Sequence, residues 1–235
     1  MLQPATRKQW AAEETPQITL DGNLYRLAYQ AHAQIDGASE LEAYKIFFDR
    51  LLKNSKETIT ILDVGCGDGR FGSKVASLSG IEYTGIDVNE SSLALARESY
   101  PEIHVTHESI FTLNSNLQFD CICVPGNLFS MFAPSLQIRF LKKLILHCKN
   151  GGYVLVDTML PDSHGFGRDL EMEATGEEIG LNFPHWVWYP CKRTISGWLS
   201  SLEVSIEWLN YNFATRNGKQ ETHDLVVISH NKKKK

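Results

Sequence analysis

Ile61-Leu62-Asp63-Val64-Gly65-Cys66-Gly67-Asp68-Gly69 decides how this chain folds. The run Thr58-Ile59-Thr60-Ile61-Leu62-Asp63-Val64 is short, β-branched and apolar, as a buried strand is, and it ends in a turn with glycine at alternate positions. Glycine is needed where the backbone takes a positive φ or where a ligand must approach without meeting a Cβ. Eighteen residues after Gly69 comes Asp87, at the end of a second short strand, where a carboxylate can accept hydrogen bonds from both hydroxyls of a ribose. Glycine turn and acid together describe a site for an adenosine-bearing cofactor.

Downstream, the pattern keeps alternating between periods of two and 3.6. Tyr83–Asp87, Ile103–Thr106, Phe119–Val124 and Tyr153–Asp157 read as strands. Helices are expected from the glycine turn to about Ser79, over Ser91–Ser99 and over Leu136–Cys148, the last one stopped by Asn150-Gly151-Gly152. Such alternation predicts an α/β fold with a doubly wound parallel sheet. Upstream, apolar residues from Leu24 to Leu52 recur at three- and four-residue steps, interrupted at Asp36-Gly37, which predicts two amphipathic helices as an N-terminal cap. Met159–Pro190 is irregular, and a helix over Thr194–Leu202 and strands over Val204–Tyr211 and Asp224–Ser229 follow, with Asn217-Gly218 turning the chain between the strands.

The chain has 235 residues, 43% of them hydrophobic, enough for one α/β domain with a substantial core. Its expected organisation is a loose arm (1–20), a helical cap (21–55), a cofactor-binding half (56–158), a substrate-covering segment (159–190), a C-terminal helix and hairpin (191–230) and a tail (231–235). The formal charge is 23 − 28 = −5, and −9 without Lys232, Lys233, Lys234 and Lys235. An acidic body argues against a broad nucleic-acid groove, which requires clustered cations. Five cysteines without paired spacing indicate neither a disulfide framework nor a zinc site, so no metal is expected. No apolar run approaches the roughly 18 residues of a membrane span, which with the polar first residues suggests a soluble protein of the cytoplasm.

The glycine spacing narrows the cofactor. A dinucleotide fingerprint places Gly or Ala where Arg70 stands, and a phosphate loop needs Lys before Ser or Thr, whereas Ser73-Lys74 reverses that order. Residues 61–69 instead closely resemble motif I of the class I S-adenosylmethionine (SAM)-dependent methyltransferases: an apolar pair, Asp, then glycines at alternate positions. The resemblance covers residues 58–160 well and the last forty weakly, since Glu203-Val204 replaces the family's usual Gly-Phe before the sixth strand. It implies a seven-stranded sheet, mostly parallel with an antiparallel last strand, and SAM as cofactor. By the same resemblance Asp63 holds the methionine ammonium, Gly65, Cys66, Gly67 and Gly69 underlie the cofactor, Asp87 binds the ribose, and Val88 and Asn89 flank the adenine. Glu108 and Ser109 stand where the family commonly has Asp and a small residue near the adenine amino group, so Glu108 departs from the pattern.

Methyl transfer from a sulfonium requires positioning and a dry pocket, with a base only if the acceptor has a proton to lose. Asn127, in the segment after the fourth strand, is a candidate to orient the acceptor, and equally a turn former. It is not in the Asp/Asn-Pro-Pro-Tyr/Phe motif of amino-directed nucleic-acid methyltransferases. His164 and His185 are candidate bases, although a single histidine is more often an ordinary packed or surface residue. Trp186 and Trp188, with Phe183, His185 and Tyr189, could line an acceptor pocket or form a lid packed on the sheet; Tyr25 and Tyr29 could close over the cofactor or simply pack. The function expected is methylation of an oxygen or nitrogen of a small-molecule acceptor. Alternatives are methylation of protein or RNA, and SAM binding without catalysis.

Overall fold

Successive residues of the central strands enter two different cores, which is why those strands read as unbroken apolar runs. Leu62, Val64, Ile122, Val124, Val154, Val156, Val226 and Ile228 belong to one buried cluster, whereas Ile61, Cys121, Cys123, Leu155, Leu225 and Val227 belong to another on the opposite face. The architecture is seen in a computed structural model that describes residues 38–55, 57–174, 185–214 and 220–230. Tyr25, Tyr29, Phe183, the first cap helix, the Asn217-Gly218 turn and the Lys tail lie outside the described residues, as does the side chain of His185.

The described elements begin with α1 (Ala38–Asn54), β1 (Ile59–Val64), α2 (Arg70–Ala76), β2 (Ile81–Asp87), α3 (Glu90–Ser99), β3 (His104–His107) and β4 (Phe119–Val124). After a 3-10 turn (Leu128–Met131) come α4 (Pro134–His147), β5 (Cys148–Thr158), a second 3-10 turn (Pro161–His164), β6 (Leu170–Ala174), β7 (His185–Tyr189), α5 (Lys192–Leu199), β8 (Val204–Ala214) and β9 (Gln220–His230). Seven strands form one sheet in the order β3-β2-β1-β4-β5-β9-β8. The first five are parallel, β9 runs antiparallel to β5, and β8 pairs antiparallel with β9. The expected doubly wound, mostly parallel sheet with antiparallel closure is therefore present.

On the first face, α4 presents Leu136, Phe140, Leu141, Leu144 and Ile145, and α5 adds Ile195 and Leu199. Each such side chain contributes about 1.5–3 kcal/mol by leaving water. The second face is covered by Tyr44, Phe47 and Phe48 of α1, Val75 of α2, and Leu93 and Ala96 of α3. The Tyr44 hydroxyl also donates to the Val124 carbonyl, tying α1 to the end of β4 (3.2 Å).

Two expectations are corrected. Asn150-Gly151-Gly152 does not separate helix from strand: α4 ends at His147 and β5 starts at Cys148, which pairs with Phe119. Gly151, at φ 83°, lets the strand step out of register and resume opposite Cys121, so the glycines make an irregularity inside β5. The irregular segment after Met159 holds a small antiparallel hairpin of β6 and β7, a separate sheet with Glu171 opposite Trp188. Asp162 and Asp169 cap α5 from that segment, accepting from the Lys192 and Cys191 amides (2.7 and 2.8 Å), and Thr194 also donates to Asp169 (2.8 Å).

Among the described residues, no helix is long and apolar enough to cross a membrane.

Candidate active site

Side-chain alternation places five polar residues of the large sheet on one face. Asp63 follows Ile61 on β1, Asp87 follows Tyr83 and Gly85 on β2, Asp157 follows Leu155 on β5, and Tyr211 and His223 are cross-strand partners on β8 and β9. All stand toward the carboxyl ends of the parallel strands, where a doubly wound sheet opens a crevice.

The glycine turn follows β1. Gly65, Gly67 and Gly69 have φ of 79°, 55° and 80°, the left-handed region that favours glycine. At Gly69 space is also short: a Cβ would lie 2.6 Å from Ile103 Cδ1 and 3.1 Å from Ala96 Cβ, so the glycine lets α3 and its exit pack against the turn. At Gly65 the position of a Cβ is taken by Leu128 of the first 3-10 turn. That contact brings the segment after β4 against the glycine turn.

Asp63 is fully buried. Its Oδ2 accepts the Tyr83 hydroxyl at 2.7 Å, while Oδ1 has no hydrogen-bond partner. Burial raises the carboxyl to about 7, against the lowering effect of the Tyr83 hydrogen bond and with a further push from Asp87. Burial also pushes the Tyr83 phenol up, with the Asp63 charge adding to it. Tyr83 reaches Asp63 through space left by two glycines. A Cβ at Gly72 would overlap the Tyr83 hydroxyl, and one at Gly85 would lie 2.8 Å from it.

Asp87 braces the turn as well as facing the crevice: its Oδ2 accepts the Gly67 amide (2.9 Å) and its Oδ1 the Asn89 amide (2.8 Å). Burial raises its carboxyl, although these amides and that of Val88 oppose the shift. An ionised carboxylate has about four acceptor directions, so these amides leave acceptor capacity for a ligand hydroxyl. Val88 is 47% exposed at the crevice edge. Asn89 is otherwise engaged, since its side chain caps α3 at the Ser92 amide. Glu108 accepts from the Thr112 hydroxyl (2.8 Å), and the Ser109 hydroxyl accepts the Phe111 amide (3.3 Å). Cys66 is buried, and burial together with Asp63 and Asp87 pushes its thiol up, leaving it unreactive.

The groups at Asp63 and Asp87 fit the expected cofactor. A buried carboxylate oxygen without a donor accommodates an ammonium, and a half-engaged carboxylate accommodates a ribose diol.

A second polar group lies where β4, β5, β8 and β9 end. Asn127 is half-buried at φ 58°, the one non-glycine residue with positive φ among the described residues. Its backbone amide donates to Asp157 Oδ2 (2.9 Å) and its carboxamide nitrogen to the Tyr189 hydroxyl (3.1 Å), while Oδ1 is buried with no hydrogen-bond partner. Asp157, 1% exposed, also accepts from the Tyr211 hydroxyl (2.7 Å) and meets His223 Nδ1 at 3.1 Å.

The remaining sequence candidates are spread out. His164 is exposed in the second 3-10 turn, and His185 opens β7. Trp188 is buried and stacks on Trp198 (5.6 Å), with Ala133 and half-buried Trp186 in the same cluster. Sequence reasoning missed Tyr83, Asp157, Tyr211 and His223. Alternation from Asp63 could have flagged Tyr83, but nothing in the sequence sets the β8–β9 hairpin beside β5 with β9 innermost.

Residues 61–152 match the family model described as a methyltransferase domain. The chain is 27% identical over 147 residues to the mRNA cap guanine-N(7) methyltransferase of Schizosaccharomyces pombe, covering 56% of this chain and 40% of that protein. It is 22% identical over 134 residues to the mitochondrial ubiquinone biosynthesis O-methyltransferase of Dictyostelium discoideum, covering 49% and 41%. The chain thus matches about two fifths of the length of these curated relatives. Its fold is similar to that of a SAM-bound amino pentose methyltransferase from Micromonospora echinaspora, with a TM-score of 0.62 at 13% identity over 93% of this chain and 99% of the other. Motif, sheet order and matched domain agree: residues 61–152 are similar to a methyltransferase domain, the fold is that of a SAM-bound methyltransferase, and S-adenosylmethionine is the cofactor this similarity supports.

Proposed function

We propose that this protein transfers a methyl group from SAM to an oxygen or nitrogen atom of a small molecule. The observation that carries the reading is the buried Asp63 carboxylate with its unpartnered Oδ1, set beside a left-handed glycine turn that Asp87 braces. In this reading Asp63 takes the ammonium, Asp87 the ribose hydroxyls, and exposed Val88 the adenine face, with Glu108 and Ser109 at its far edge. When bound, SAM supplies an electrophilic methyl carbon on a sulfonium. The chain's own contribution is orientation: the Leu128–Gly65 contact holds the Asn127 turn next to the glycine turn, and the buried Asn127 Oδ1 offers an acceptor for a donor group on the substrate. Residues 56–158 hold the cofactor, and 159–190 cover the acceptor.

The similarity to an mRNA cap methyltransferase supports a second reading, an RNA acceptor, which the net charge of −5 disfavours. Calorimetric titration with S-adenosylhomocysteine and with NAD⁺, repeated on Asp87→Ala, tests the cofactor. Binding of the homocysteine compound alone, lost in the variant, is expected; binding of NAD⁺ alone, or of neither, overturns the reading. Radiolabelled methyl transfer to small-molecule pools and to capped RNA then separates the acceptors, and binding without transfer to either identifies a non-catalytic SAM-binding protein.

A further inference from the structure

From Ser109 to Val156 the chain carries a single acidic residue, Asp120, against four cations, Arg139, Lys142, Lys143 and Lys149. The stretch is therefore +3 in a chain of net charge −5, which leaves −8 on the rest. Lys149 pairs with Asp120 at 2.8 Å, so Arg139, Lys142 and Lys143 have no carboxylate partner among the described residues.

All three lie on α4. Ser135, Arg139, Lys142 and Leu146 are exposed at helical steps of three and four residues, hence on one face, with Lys143 half-buried at its margin. The crossover from β3 to β4 contains no helix and lies along α4 instead. Its Phe111 ring is 6.1 Å from that of Phe140, the Arg139 guanidinium sits 5.8 Å over Phe111, and its Leu117 carbonyl accepts from His147 Nδ1 at 2.8 Å. Leu117 and Leu146, 46% and 48% exposed, thus stand at the last turn of α4 beside the cations. β4 begins at Phe119 and β5 at Cys148, so this end of α4 is at the amino ends of the parallel strands, away from the crevice.

We propose that the exposed face of α4 and the adjoining crossover loop dock an acidic segment of a partner protein, its carboxylates meeting Arg139, Lys142 and Lys143 and its apolar side chains settling on Leu117 and Leu146. Charge complementarity selects the place. An acid-free face presents no like charge to such a segment, whereas the remainder of the chain, at −8, repels it. The leucines select the class of partner. A single-stranded nucleic acid is gripped through stacking aromatics, and the large side chains exposed on this face are aliphatic. A bilayer takes up apolar side chains that project from their surroundings, and half-exposed leucines do not. A partner seated here leaves the crevice open, so it recruits the protein to a place without closing the site. The proposal does not rest on the methyl-transfer reading.

The test titrates the full chain with a synthetic helical peptide that carries glutamates and two leucines on one face, followed by calorimetry and by amide NMR. The control peptide has alanine in place of both leucines. Binding with shifts confined to residues 109–118 and 135–149 is expected, weakened roughly 10-fold or more in R139E/K142E/K143E and by the control peptide, and weakened again between about 0.1 M and about 1 M salt. K142E alone, on the exposed face, should show a smaller loss in the same direction, and circular dichroism confirms that both variants fold. Oligouridylate and phosphatidylserine-containing vesicles serve as rival probes, and sedimentation of the protein alone tests a second copy as the occupant. The proposal is overturned by absence of peptide binding, by equal affinity in the triple variant, by shifts centred on the crevice, by tighter binding of either rival probe, or by a dimer that R139E/K142E/K143E dissociates.

Discussion

Tyr83 on β2 donates a 2.7 Å hydrogen bond to Asp63 on β1, and both residues are buried. The bond satisfies one carboxylate oxygen and leaves the other without a partner, in an environment that raises the acid to about 7. A protein keeps such a group at a cost to its own stability when a ligand later supplies the missing partner.

Asp63→Asn should therefore move stability and binding in opposite directions. The folded carboxyl ionises near 7 and the unfolded one near 3.8, so between these values the folded state holds a proton the unfolded chain has released. Stability from this group is present below pH 3.8 and lost as pH rises through 7, on the order of 4 kcal/mol at full extent. Thermal melts should show the variant matching wild type near pH 4 and melting several degrees higher near pH 8. Its affinity for S-adenosylhomocysteine should fall roughly 10- to 100-fold, the worth of a hydrogen bond to a charged group.

Tyr83→Phe removes the hydrogen bond that lowers the Asp63 ionisation, so that ionisation moves further above its wild-type position. The affinity for S-adenosylhomocysteine, which favours ionised Asp63, should drop at neutral pH and recover in alkaline buffer. Calorimetry across pH checks this, and equal loss at every pH would contradict it. Stability should fall by about 1–3 kcal/mol from the unsatisfied carboxylate oxygen.

Two glycines with similar φ should respond differently to alanine. Gly126 (φ 70°) has open space where a Cβ would go, so Gly126→Ala costs only backbone strain, about 1–2 kcal/mol. Gly69 (φ 80°) has Ile103 Cδ1 at 2.6 Å, and overpacking adds about 1–3 kcal/mol to the strain. Urea denaturation of both variants measures the difference; equal losses would mean that α3 gives way freely.

Asn127→Gly keeps the left-handed backbone, and with it the amide bond to Asp157, but deletes the carboxamide. Binding of S-adenosylhomocysteine should stay within about twofold, and kcat/KM for the acceptor should fall roughly 10-fold or more, as a lost hydrogen bond of 1.4 kcal/mol implies. Intact kcat/KM would reduce Asn127 to a turn former.

What the sequence revealed and what it hid follow from the range of the interactions. Asp63, the glycine turn and Asp87 lie within one βαβ unit, and strand alternation with glycine spacing is local information, so the winding of the sheet and the grouping of these residues at one end of it were legible. Asn89 and Asp87 nonetheless carry local structural duties that spacing did not show, one capping α3 and the other holding Gly67. The Asp157–His223 pair spans sixty-six positions and depends on β9 entering between β5 and β8, a register no local pattern encodes. Trp188 illustrates the converse. An aromatic-rich stretch suggests a pocket, yet its partner Trp198 lies on a helix whose packing only the tertiary structure defines.

The position of β9 also sets an order of events during synthesis. Everything that contacts the cofactor in the proposed reading precedes residue 159, so that half can assemble while the rest of the chain is still in the ribosome. Until residues 220–230 emerge, however, β5 presents an unpaired edge between Tyr153 and Thr158, the kind of edge that invites aggregation. The strand that covers this edge is the same one that delivers His223. Closing the sheet edge and pairing Asp157 with His223 thus come in a single step, and a chain that stops short of residue 220 leaves both undone.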